Sequence, residues 1–108
     1  MTTRQDYIYQ LTGRITDKRL KKKKDGSPFY QLGVIITNKE QIKKINVFQD
    51  GLEKEEIWTE IEETNYLDKR YLFYCKNFMG TYYLVNWKEL PPLKETQELA
   101  EYEEYEKK

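Results

Sequence analysis

The chain has 108 residues, the size of one compact domain and too few for two lobes around a cleft. Hydrophobic residues make up 38% and charged residues 35%, yet ten tyrosines, four phenylalanines and two tryptophans are enough large apolar side chains to build a core, so disorder throughout is excluded. Histidine is absent and Cys75 is the single cysteine, which removes imidazole-based triads and the common metal-ligand sets; no metal or cofactor is expected.

No apolar run approaches the ~20 residues of a membrane span, and the N-terminus MTTRQDY lacks an apolar segment of signal-peptide type. A lone cysteine cannot close an intramolecular disulfide. Within YLFYCKN it falls on a strand pattern, which predicts a buried, reduced thiol and a reducing compartment. Fifteen lysines against four arginines, with one alanine, is the usage of an A/T-rich genome: an organelle, a phage or a low-GC bacterium. Net charge is zero, but residues 1–50 sum to +6 and residues 51–108 to −6, which suits either a basic face for a polyanion or a solvated surface with uneven charge.

Tyr9, Leu11, Gly13 and Ile15 alternate with Gln10, Thr12, Arg14 and Thr16, the period of a half-buried strand over about residues 7–17. KRLKKKKDGSP has no apolar periodicity and carries Asp-Gly and Ser-Pro turn chemistry, so it reads as a loop leading into a second strand, FYQLGVIIT, over about 28–37. A polar connection over 38–41 enters a third strand in IKKINVFQ. Asp50 and Glu53 have capping-box spacing, and Ile57, Trp58 and Ile61 then share one helix face in DGLEKEEIWTEIEET, which predicts a short helix packed on the strands. RYLFYCKNF and TYYLVNW flank Met79-Gly80 as a closing hairpin of strands four and five. Pro91 and Pro92 end the folded unit, giving a domain over 1–90. An acidic tail follows over 91–108, in which Leu99 and Tyr102 have helical spacing.

Three strands, a helix and a closing hairpin is the element order of an all-β, five-stranded oligonucleotide-binding (OB) barrel. LTGRIT, DGSPFYQLGVII, INVFQDGLEKE and YLDKRYLFYCKN together resemble the bacterial-type single-stranded DNA-binding protein family over about residues 9–88, including Gly13 in strand one and Gly-Ser-Pro at the start of strand two. The chain is also similar to primosomal replication protein N and to small plastid-encoded relatives. It departs from the family pattern at Ile42, where an aromatic is usual, in its short final hairpin, and in its Glu-Lys-Lys terminus. The resemblance implies a non-enzymatic, sequence-independent single-stranded DNA binder of replication, repair or recombination. It also implies a homodimer or homotetramer and a plastid or bacterial cytoplasmic setting, with replication proteins as partners.

Such barrels stack bases on aromatics of strands two, three and the closing hairpin and place lysines at phosphates. With Leu32, Val34 and Ile36 inward, Phe29, Gln31 and Gly33 face out; with Ile45 and Val47 inward, Lys44, Asn46 and Phe48 face out; with Tyr71, Phe73 and Cys75 inward, Tyr74, Lys76 and Phe78 face out. Lys18, Arg19, Lys21, Lys22, Lys23 and Lys24 are expected on the first loop as phosphate contacts, and Gly33 as a flat place for close approach or as a bend of the barrel. Phe48 also falls where the family's stacking phenylalanine does. The outward aromatics suit a subunit interface as well, and the lysines a solvated loop. Trp58 and Ile61 read as helix-to-barrel packing, and the helix glutamates as a solvated face. Two further functions stay open: a protein-interaction module of a larger assembly, and RNA binding, because no residue reports on the 2′-hydroxyl.

Overall fold

A computed structural model describes residues 7–37, 39 and 41–91. Alternating apolar and polar residues form five strands: β1 (Tyr9–Lys22), β2 (Pro28–Ile36), β3 (Gln41–Val47), β4 (Arg70–Phe78) and β5 (Thr81–Leu90). They close into a barrel in the order β1-β2-β3-β5-β4, antiparallel except where β3 meets β5 in parallel. One helix, α1 (Glu56–Glu63), stands between β3 and β4, so the chain has the OB architecture expected from its element order.

The inward set is Ile15, Tyr30, Leu32, Val34, Ile36, Ile45, Val47, Tyr71, Phe73, Cys75 and Leu84, with Ile57 and Ile61 of α1 packed into the same core. An eight-residue helix is too short to persist alone, so burial of those two isoleucines holds α1 in place. Trp58 packs its ring 5.0 Å from Tyr30, the packing role expected of it. At the other end of α1, Lys18 Nζ donates to the Ile61 and Glu62 carbonyls, both at 2.9 Å, and so satisfies two backbone acceptors that a helix C-terminus leaves orphaned.

Two bulges set which side chains face out. In β1, Ile15 pairs with Val34 but Asp17 pairs with Gly33, so one extra residue reverses the facing of everything downstream. Lys18 and Leu20 then stand in register with inward Leu32 and Tyr30, whereas Arg19 and Lys21 stand with outward Gln31 and Phe29. In β5, Asn86 pairs with Tyr74 and Leu84 with Cys75, leaving Val85 between them. The Val85 carbonyl accepts the Glu53 N–H at 2.8 Å and Asn86 Nδ2 donates to Glu53 Oε1 at 3.0 Å, which pins the β3-to-α1 connection to the barrel wall.

Several sequence expectations need correction. β1 runs on to Lys22, so the first loop is only residues 23–27, and Lys18, Arg19, Lys21 and Lys22 belong to a strand. The lysine run has no apolar period to mark it as strand, but its backbone groups pair with β2 as far as Lys22 and Pro28. Asp50 and Glu53 form no capping box: residues 49–51 make a 3₁₀ turn, α1 starts at Glu56 without a side-chain cap, and the Glu53 carboxylate is held by Asn86. Gly33 offers no flat place, because Thr16 and Asp17 of the bulge lie over it and a Cβ there would meet the Asp17 carboxylate. β5 continues past Trp87 to Leu90, and the tail from residue 92 lies outside the described residues.

Candidate nucleic-acid interface

Strand register assembles most of the expected residues on one outward face. Arg19, Gln31, Asn46, Tyr83 and Lys76 are consecutive partners across β1, β2, β3, β5 and β4, a single row across the barrel. On one side of it Lys21 pairs with Phe29, and Phe48 stands one residue past Val47 at the end of β3. On the other side Asp17, Gly33 and Lys44 are partners, and Phe78 pairs with Thr81 at the mouth of the closing hairpin.

The centre of this face is aromatic. Phe29 and Phe48 meet edge to face with centroids 5.0 Å apart, and Phe48 and Tyr83 stand 5.1 Å apart at 53°. All three are half-buried and none belongs to the barrel core, so their apolar area rests on one another and on solvent. Lys23 Nζ lies over the Phe48 ring, 4.5 Å from its centroid, a cation–π contact. Beside the rings, Gln31 Nε2 donates to Asn46 Oδ1 at 3.1 Å.

Cations frame the rings. Lys21, Lys44 and Lys76 are exposed and make no ion pair among the described residues, while Arg19 Nε pairs with Asp17 Oδ2 at 2.9 Å in an exposed bridge. Lys22 and Lys24 are exposed at the hairpin end. In the adjoining turn, Ser27 Oγ and N–H both donate to Asp25 Oδ1, which holds that carboxyl below its ordinary pKa.

Two expected residues stand apart. Lys18 faces the other way: its ammonium is bonded to α1 and lies near the Tyr30 and Tyr66 rings, so it cannot serve the face at a phosphate. Tyr74 is in register with Gln10 and Asn86 and takes no part in the ring cluster. Phe78 lies at the margin, 66% exposed, next to Met79 at 88%. Tyr83 is the residue sequence reading missed. Its signal was present in TYYLVNW, where placing Leu84 inward turns Tyr83 outward.

Burial raises the Cys75 thiol to about 12, so it is protonated at neutral pH and no nucleophile. A shallow cleft of about 310 Å³ between α1 and the β4–β5 wall, lined by Glu60, Glu63, Tyr71, Trp87 and Glu89, contains none of the expected site residues. Among known proteins, no family model and no curated protein matches the chain.

Proposed function

We propose that this barrel is a non-enzymatic single-stranded DNA-binding protein acting in replication, repair or recombination, and that it binds through the outward face of β2, β3 and β5. The observation that carries the reading is the Phe29–Phe48–Tyr83 cluster with Lys21, Lys23, Lys44 and Lys76 around it. Aromatic faces accept any base by stacking, and cations beside them neutralise phosphates whatever the sequence. Lys23 is then the group a base displaces: its ammonium exchanges the Phe48 ring for a phosphate. Because one barrel of this kind spans only ~4–16 nucleotides, useful affinity calls for several barrels per particle, a dimer or tetramer.

The test is fluorescence anisotropy of labelled oligo-dT in low salt, with duplex DNA and single-stranded RNA as competitors. Tight, salt-sensitive binding that duplex DNA competes poorly is expected. Absence of oligonucleotide binding in low salt would refute the reading and favour a protein-interaction module, and preferential displacement by RNA would move the substrate class to RNA.

A further inference from the structure

We infer that the Gln31–Asn46 carboxamide pair reads the edge of a base and gives the face a preference for adenine; this rests on the single-strand reading above. Asn46 is the last residue but one of β3, between Ile45 and Val47, both fully buried, a position where asparagine is a poor strand former and a β-branched residue would serve the fold better. Its side chain is half-buried on the outward face, held by the bond from Gln31, directly beside Tyr83 in register and two residues before Phe48.

A base stacked on Tyr83 or Phe48 therefore brings its edge to a preset amide. The mutual bond uses one Gln31 N–H and one Asn46 lone pair. Asn46 keeps both N–H groups and a second lone pair, and Gln31 keeps its carbonyl oxygen and one N–H. A carboxamide offers a donor beside an acceptor, the complement of adenine N6–H and N7, the pairing by which asparagine and glutamine read adenine. On the same edge guanine presents N7 and O6, two acceptors side by side, so an amide oxygen would oppose one of them, and cytosine offers only a donor and thymine only an acceptor. Adenine also has the larger purine π-face for stacking, which the pyrimidines lack. Stacking thus admits every base, and the amide pair adds a bias at one nucleotide position.

The experiment measures competition by oligo-dA, oligo-dT and oligo-dC of equal length, about 12 nucleotides, against the wild type, Gln31→Ala, Asn46→Ala and Asn46→Thr. The last variant keeps a strand-favouring residue, so the fold is preserved even if the alanine change loosens β3. The wild type is expected to favour oligo-dA over oligo-dT by about fivefold or more, the lower range for one bidentate amide contact. In the folded variants that ratio should collapse toward one, through a loss of oligo-dA affinity larger than any loss of oligo-dT affinity. A dA-to-dT ratio identical in wild type and folded variants would overturn the inference and leave single-strand binding standing. Failure of every strand to bind would instead overturn the function on which it rests.

Discussion

Phe48 stands just beyond the last residue of β3, with the Phe29 and Tyr83 rings about it and Lys23 over its face. Its ring lies outside the barrel core, so removing it should cost far less than the ~3–5 kcal/mol of a core phenylalanine. Phe48→Ala is therefore expected to weaken oligo-dT binding by roughly five- to 150-fold, the range for loss of one stacking platform, with the salt slope nearly unchanged. Affinity, melting temperature and mass measured on this one variant separate stacking from core and interface roles. Normal affinity in a folded, normally assembled protein would remove Phe48 from the site. Phe48, Asn46 and Lys44 were legible because period-two alternation, anchored by inward Ile45 and Val47, fixes the other side of β3. Lys18 was not: composition makes it one more cation in a basic run, and only the extra residue at the bulge turns its ammonium toward the end of α1.

At the scale of elements, the β1–β2 hairpin carries two populations of cation. Lys21 and Lys23 border the rings, and Lys22 and Lys24 stand exposed nearby, whereas Lys18 fastens α1 to the barrel. Replacing Lys21, Lys22, Lys23 and Lys24 with glutamine should weaken binding to all strands alike. The slope of log K against log salt should flatten by about 0.7 for each phosphate that is no longer neutralised. Lys18→Met should leave that slope intact and lower the melting temperature instead, since it strips the partner from two helix-end carbonyls. Titrations at several salt concentrations, paired with thermal melts, check both halves; an altered slope in Lys18→Met would contradict the assignment. The strands, their order and α1 could be read from periodicity, and the Met79-Gly80 turn from its flanking strands. Met79 and Gly80 both take positive φ, +52° and +86°, as a two-residue hairpin demands. The ends of elements were less legible. A lysine run and a Glu-rich helix start carry no apolar period, and what fixes them is tertiary: pairing with β2 as far as Pro28, and the Glu53 anchor on the β5 bulge.

The barrel as a whole folds around groups whose titration differs between the folded and unfolded chain. Cys75 is fully buried between β1 and β5, and burial raises its thiol from the ordinary 9.0 to about 12. The Tyr30 hydroxyl is also raised above 10.0, first by burial and then by the Glu62 carboxylate at 3.4 Å. Between pH 9 and 12 the unfolded chain has lost the thiol proton that the folded barrel still holds. The unfolded state thus binds fewer protons, and stability falls as pH rises through that window while being fully retained below it. The slope for one such group reaches at most ~1.4 kcal/mol per pH unit. Urea midpoints are therefore expected to drop between about pH 8.5 and about pH 10 in the wild type, and Cys75→Val should flatten that decline whatever it does to stability at neutral pH. Tyr30 keeps a residual slope above about pH 10, so the lower half of the window is where the two proteins must diverge. Parallel curves for wild type and Cys75→Val from about pH 8.5 to about pH 10 would mean that the thiol sees water in the native state, and that the barrel opens at this wall.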